Sequence, residues 1–349
     1  MTSTTALPDA SLPAALPLGA ARVARPDEYR AVADLVARSF AAGPYGHIHA
    51  TPERVALEAD SAGRAAAGAL IVVPDADGRL IGTASLLRPG TPFTRLAVDG
   101  EAELRLVGVD PYVRSTGVAD ALVAESIAEA RRWGMQRLVL DTGSLNERAQ
   151  RLYLRHGFQR SLEREVADVA GIVSYIYEFD LQRADGILVR LIRLDEIELV
   201  GELTETAYAS DYDLPDDYRA SLREVATRAR AHEVWVAEDI ATGAILGTVA
   251  TPRPGGWISE LGKTGELDFR LLAVAPAARG RGIGELLTRH VLTLARERGL
   301  GRVVMNSGPE MLGAHRLYDR MGFTRLPDRY VTFTSSNGPV TLLTFAYDL

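Results

Sequence analysis

Two short stretches set glycine and arginine at the foot of a helical pattern: "RSTGVA" at 114–119 and "RGRGIG" at 279–284. Glycine lets backbone approach a ligand closely and take positive φ. Helix N-terminal amides, assisted by the dipole, hold anions. The chemistry on offer is therefore phosphate binding. A dinucleotide fold wants its glycine turn after the first strand, whereas these turns follow a fourth. An ATP-type loop needs lysine and then serine or threonine after its last glycine, and Ile283-Gly284-Glu285 supplies neither. A pyrophosphate cradled by backbone amides is left, with Arg114 and Arg279 able to add charge-assisted bonds. A glycine-rich helix start without a ligand is the plainer alternative, and the recurrence of the turn weighs against it.

The elements that must position these turns also come twice. Val109 and Val274, Arg114 and Arg279, and Tyr153 and Tyr318 are each 165 residues apart, and one ungapped register joins 101–158 to 266–323. Roughly a third of its positions are identical, the mark of a whole-domain duplication. "RPDE" at Arg25 answers "RLDE" at Arg193, so a small insertion separates the copies. Each copy reads as a short strand, a helix, a second helix ("TPERVALEAD"; "DDYRASLREVATRAR") and two strands about a turn. A fourth strand then ends at Val109 or Val274. After the glycine turn come a long helix, with Val118 and Leu122 or Ile283 and Leu287 at apolar spacing, a strand, a short helix ending in Gly-Phe, and closing strands. The predicted layout is a tail over 1–20 and domains over 21–182 and 186–349, joined near "LQRADGI".

Bulk properties exclude several classes. The 349 residues suffice for two cores, and 47% hydrophobic with 24% charged residues fits a soluble protein. A net charge of −7 argues against nucleic acid as a partner. There is no cysteine, hence no disulfide, thiolate nucleophile or cysteine-ligated metal. His47 and His49 lack a completing pattern and read as a solvated loop, so no metal is expected. The N-terminus has no basic start and no run reaches membrane length, which predicts a cytoplasmic protein without a membrane partner.

Arg-x-x-Gly-x-Gly after a strand ending in Val, followed by Ala-x-x-Leu-Tyr-x-x-x-Gly-Phe, resembles the GCN5-related N-acetyltransferase (GNAT) superfamily. "RGRGIG" with "AHRLYDRMGF" carries the whole pattern, and "RSTGVA" with "AQRLYLRHGF" departs only at Ala119. The resemblance covers 58 residues per copy. It implies two tandem α/β domains with mixed sheets, acetyl-CoA as co-substrate and an amine acceptor. It also implies that the fourth and fifth strands splay at a bulge, so that the exposed fourth strand bonds the pantetheine arm. That assigns 106–109 and 271–274 to the arm, with amides near Val107, Val109, Leu272 and Val274 polarising the carbonyl. Arg114, Ser115, Thr116, Gly117, Val118 and Ala119, and Arg279, Gly280, Arg281, Gly282, Ile283 and Gly284, go to the pyrophosphate.

An amine of lysine type has a pKa near 10.4 and must lose a proton before it attacks. Family members place a base on the fourth strand, where Glu103 and Asp268 are equivalent; Glu101 and Glu266 are reserves, and a solvated strand edge is the plainer reading of all four. Tyr153 and Tyr318 are expected to protonate the leaving thiolate, with packing of the short helix as their alternative. Asn146 is a cofactor contact in the family. "SLNE" has capping-box spacing from Ser144 to Glu147, which would put Asn146 inside the helix's first turn. Met311 replaces it in the second copy, where Pro309 would start the helix. Asp211, Asp213, Asp216 and Asp217 form either an acidic mouth or a solvated, capping loop. The expected activity is direct transfer to a small-molecule amine in a ternary complex, because no cysteine exists for a covalent intermediate. A synthase of mycothiol type, a protein N-terminal acetyltransferase, and a half that only binds CoA or mimics a dimer are the alternatives. The oligomer would be a monomer with pseudo-dimeric halves or a homodimer.

Overall fold

The computed structural model describes residues 18–48, 50–165, 173–182, 186–212, 214–335 and 338–349. The expected tail at 1–17, His49, Asp213 and the join at 183–185 lie outside the described residues. Residues 18–20 are not loose: the Gly19 amide donates to Pro74 O at 2.9 Å. The chain divides into two compact units, Met1–Leu152 with Arg164–Gln182, and Tyr153–Glu163 with Arg183–Leu349.

In the first unit, β1 (Arg22–Val23), β2 (Gly68–Pro74), β3 (Leu80–Leu87), β4 (Glu101–Val109) and β5 (Arg137–Gly143) lie side by side. All neighbours are antiparallel except β4 and β5, which are parallel. β6 (Gln159–Arg160) belongs to the stretch grouped with the second unit, and β7 (Ser174–Asp180) closes on β5. The helices are α1 (Tyr29–Ala41), α2 (Pro52–Ala59), α3 (Ser61–Ala66), α4 (Val118–Arg132) and α5 (Glu147–Arg155). β2 and β3 are almost entirely buried because helices cover both faces, so their sequences read as continuous apolar runs. α4 buries Val118, Leu122, Val123 and Ile127, one stripe at helical spacing.

The second unit repeats this plan. β8 (Ile187–Leu191), β9 (Glu233–Asp239), β10 (Ile245–Thr251) and β12 (Arg270–Val274) make one sheet. β11 (Glu266–Asp268), β13 (Arg302–Ser307), β14 (Thr324–Arg325) and β16 (Gly338–Asp348) make another, and β15 (Val331–Ser335) pairs with β16. Its helices are α6 (Ile197–Ala209), α7 (Asp216–Arg223), α8 (Val225–Ala231), α9 (Ile283–Glu297) and α10 (Leu312–Met321). The stretch read as one second helix is two, because Glu224 turns to ψ 45° between them. A core of Trp235, Phe269, Leu287, Val291 and Tyr318 packs under α9; Val200, Leu203, Val225 and Ala273 pack under α6 and α8.

The duplication extends beyond the sequence register through matching ion pairs. Arg164 binds Glu101 at 2.9 Å and donates to Leu96 O; Arg329 binds Glu266 at 2.8 Å and donates to Leu261 O. The "RPDE" and "RLDE" stretches serve forked pairs, Arg22 on Glu28 and Arg190 on Glu196. Hydrogen bonding from Arg22 holds the Glu28 carboxyl down at about 2. The insertion falls between α1 and β2, where the first unit has three residues more than the second has between α6 and β9.

Candidate acetyl-transfer site

The glycine turns are built as open cradles. Gly280 and Gly282 have φ of 76° and 77°, and no heavy atom lies within 4 Å of where a Cβ would stand on either. The first bond into α9 runs from the Leu286 amide to Gly282 O. The amides of Gly280, Gly282, Ile283 and Gly284 have no acceptor among the described residues. Four donors within five residues at the start of α9 are therefore left for a ligand, an arrangement that fits an anionic diphosphate. In the first unit Ser115 takes the left-handed position (φ 69°) where the second has glycine, and Gly117 (φ 91°) keeps its own. Thr116 Oγ1 donates to Val113 O at 2.6 Å, fastening that turn. Gly284 plays a packing role: a Cβ there would sit 3.2 Å from Leu317 Cδ2.

The arginines that open the turns are not aimed at the cradles. Arg114 donates to Ala42 O and Ser39 O, and Arg279 donates to Ala207 O, Ser210 Oγ and Asp211 Oδ1. Each thus sits on the carbonyl end of α1 or α6, where a positive charge is favoured. Arg281 pairs with Asp239 at 2.9 Å. These guanidiniums fasten the turns, and amides line them.

The strands part where the resemblance implies. β4 pairs with β5 only from Glu101 to Glu103, yet runs on to Val109. β11 pairs with β13 from Glu266 to Asp268, after which β12 follows β10 alone. Leu106 (φ 52°) and Leu271 (φ 56°) are left-handed, and the registers shift between Thr83 and Ser85 and between Thr248 and Ala250. A non-glycine residue in that region costs about 1–2 kcal/mol, and here it bends the strand away from its neighbour. The edge bearing Val107 and Val109, or Leu272 and Val274, is left without a fifth-strand partner.

The carboxylates are not a solvated edge. Glu103 is fully buried, and its Oε2 accepts from the amides of Arg95, Leu96 and Ala97 at 2.8, 2.7 and 3.1 Å. Its Oε1 has no hydrogen-bond partner, though Arg105 Nε lies 3.4 Å away. Asp268, equally buried, accepts from the Ile258 amide at 3.0 Å and from Ser259 N and Oγ at 2.7 Å. Both carboxylates therefore hold the loop that precedes their strand. The reserves Glu101 and Glu266 are taken up by the arginine pairs described above.

Tyr318 is 2% exposed, with ring centroids of Phe269, Phe323 and Phe345 at 6.4, 5.5 and 5.4 Å. Burial, with the Tyr212 phenol nearby, pushes its hydroxyl well above the ordinary tyrosine range. Tyr153 is 5% exposed, 5.7 Å from Phe158, in the stretch grouped with the second unit. Asn146 is a cap: α5 begins at Glu147, and Asn146 Oδ1 accepts from the Ala149 amide at 3.3 Å, so the helix starts later than the Ser144 spacing suggests. α10 begins at Leu312 after Met311, not at Pro309. Asp211 pairs with Arg279, while Asp216 and Asp217 open α7. His47 is exposed, and no group of metal-ligating side chains occurs among the described residues. No helix there is long and apolar enough to cross a membrane.

Composition and spacing overlook His232, Arg270 and the tyrosines Tyr208, Tyr212 and Tyr218. His232 caps the end of α8, within electrostatic reach of Asp268, and burial lowers its pKa. The sequence signal was the run of tyrosines among the aspartates of "AYASDYDLPDDY".

The pattern of the acetyltransferase (GNAT) family matches residues 31–158 and again 197–323. Mycothiol acetyltransferase from Stackebrandtia nassauensis is 31% identical over 272 residues, 74% of this chain and 80% of that protein. Glucosamine 6-phosphate N-acetyltransferase 1 from Oryza sativa is 37% identical over 106 residues, 30% of this chain and 61% of that protein. Among solved structures, spermidine N-acetyltransferase from Vibrio cholerae, in complex with CoA and spermine, aligns at 16% identity and a TM-score of 0.35, covering 46% of this chain and 95% of its own.

Proposed function

Because the chain belongs to the acetyltransferase (GNAT) family, an acetyl-CoA-dependent group, we propose that it transfers acetyl directly to a primary amine of a small molecule in the cleft of its second unit. The observation that carries this reading is that one unit holds every part: the open amide cradle at 280–284, the unpaired edge at 271–274, and Tyr318. Acetyl-CoA supplies an acetyl group activated as a thioester.

The amides of Gly280, Gly282, Ile283 and Gly284 bind the diphosphate, and the β12 edge from Leu271 to Val274 orients the arm by strand addition. The amides at Leu272 and Val274 stabilise the carbonyl oxygen as charge develops on it. Tyr318, kept protonated by burial, holds the proton that the departing thiolate needs. Asp268 fixes the Ile258–Ser259 backbone beside the acceptor. His232, held neutral by burial, is the group on that side free to take the amine's proton. In the 165-residue sequence register the matching residues of the first copy are the turn at 114–119, Val107 and Val109, Glu103 and Tyr153.

Titration of the full chain with acetyl-CoA, and CoA release with a panel of primary amines, test the reading. Saturable binding and acetyl recovered on the amine nitrogen are expected; a protein that binds no acetyl-CoA would refute it. A mycothiol-type reaction is the second reading, supported by a relative similar across 74% of the chain. A cysteinyl amino-sugar in the same panel separates it from other small amines.

A further inference from the structure

Arg270 of the second unit carries a positive charge that no ion pair among the described residues offsets. Arg270 is the first residue of β12, immediately before the Leu271 bulge, and stands opposite Ala250. It is exposed, and neither a salt bridge nor a hydrogen bond engages its guanidinium among the described residues. Asp268, the carboxylate two residues earlier, is fully occupied by Ile258 and Ser259. Behind Arg270, within charge–charge range, stands Arg228 of α8. Among the described residues it donates only to Ser221 O and Leu222 O, and Glu224 acts on it at longer range without a hydrogen bond. Placing two like charges together without a bonded counter-ion is unfavourable unless an anion joins them.

The surroundings suit a ligand. Tyr208 of α6 and Tyr218 of α7 meet edge to face, with centroids 6.4 Å apart, and Tyr212 lies 6.5 Å from Tyr208. Both Tyr208 and Tyr218 are close enough to Arg270 for its charge to act on their phenols. Tyr208 is likewise in reach of Tyr318, so this cluster adjoins the proposed acid. The first unit has the matching pair, Arg105 on β4 and Arg64 on α3, but there the charge is offset internally. Arg105 donates to Phe93 O and approaches Glu103, and Arg64 is enclosed by Ser85, Ser61 and Glu58 O. The second unit alone keeps its arginine open.

We propose that Arg270, backed by Arg228 and flanked by Tyr208 and Tyr218, is an anion subsite of the acceptor cleft, so that the amine acetylated there carries a carboxylate or a phosphate. This rests on the acetyl-transfer reading and narrows its substrate class. A guanidinium binds either group by a charge-assisted fork, and tyrosine hydroxyls add neutral donors.

The experiment uses matched amines: an amino acid against its carboxamide, and an amino-sugar phosphate against the unphosphorylated sugar. Turnover is measured with the full chain and with Arg270→Gln and Arg270→Lys. Wild type is expected to favour the charged member of one pair by about tenfold or more in kcat/KM, and the pair that shows it identifies the group. Arg270→Gln should bring that ratio near one, with Arg270→Lys between. A wild-type ratio near one or below in both pairs, or a ratio that survives Arg270→Gln, overturns the subsite while leaving acetyl transfer standing. Binding of the same pairs to the CoA-loaded protein, read by calorimetry, tests the subsite without turnover: equal affinity within each pair overturns it. A protein that takes up no CoA refutes the acetyl-transfer reading, and the subsite falls with it.

Discussion

Replacing Tyr318 with Phe separates chemistry from packing in the second unit. The ring belongs to the core, against Phe269, Phe323 and Phe345, and phenylalanine keeps every one of those contacts. The hydroxyl makes no hydrogen bond to any described residue, so its removal leaves no stranded buried partner. The cost in stability should be under about 0.5 kcal/mol. A general acid contributes about 10²- to 10⁴-fold to rate, which raises the barrier by roughly 2.7–5.5 kcal/mol. Tyr318→Phe should therefore lower kcat by about two to four orders of magnitude and leave acetyl-CoA affinity and the urea midpoint near wild type. Because burial raises the phenol's pKa, wild-type kcat should show no alkaline fall attributable to this group below about pH 10, the ordinary tyrosine value. Steady-state CoA release, with equilibrium titration and urea unfolding on the same preparations, makes the comparison. A kcat within about threefold of wild type would show that Tyr318 is a packing residue. Running Tyr153→Phe in parallel reads whether the first half contributes to turnover.

Other expectations follow from the same geometry. Gly282→Ala puts a Cβ into left-handed backbone at a cost of about 1–2 kcal/mol; because that methyl enters the open cradle, CoA should bind at least about tenfold more weakly, while affinity for acetyl-pantetheine, which lacks the diphosphate, stays unchanged. His290 packs 4.2 Å from Trp235, its Nε2 enclosed without a partner, and burial pulls its pKa down to about 3. A base whose folded pKa is depressed stabilises the fold fully above its unfolded value of about 6.5 and less as pH falls below it. Between about pH 7 and pH 5 that amounts to about 2 kcal/mol, and His290→Leu should remove this part of the pH dependence of the urea midpoint; an unaltered slope would contradict it.

Much of the fold was legible because it rests on local pattern. β3, β10 and the closing valines of β4 and β12 fall where the apolar runs and turns put them. The glycine turns were legible too, since left-handed backbone at 117, 280 and 282 favours glycine. What sequence could not show depends on contacts between distant segments. Glu103 and Asp268 look alike whether they are free bases or loop anchors, and only the arrival of 95–97 and 258–259 decides. Arg114 and Arg279 look like phosphate ligands until α1 and α6 present their carbonyl ends. Asn146 shows the finer limit: capping chemistry fixes the kind of helix start but not which of Ser144 and Asn146 serves it.

The two copies differ in a patterned way. Groups that hold the scaffold are duplicated almost atom for atom: Arg164 and Arg329 on their glutamates, Arg114 and Arg279 on helix ends, and the strained leucines at 106 and 271. The arginines proposed to lie on the acceptor side are duplicated in kind but not in state. Arg105 is spent on Phe93 O and neighbours Glu103, whereas Arg270 is open. The cradle shows the same asymmetry, since the first unit forces Ser115 into the conformation that Gly280 takes without cost. The shared ion pairs and bulge set the path of the fourth strand in each copy, whereas Arg105 and Arg270 hold nothing in common. On the proposed reading, two outcomes are open to experiment, different amines for the two halves or turnover in the second alone; the paired tyrosine substitutions distinguish them, because only in the first case does each abolish acetylation of a different amine.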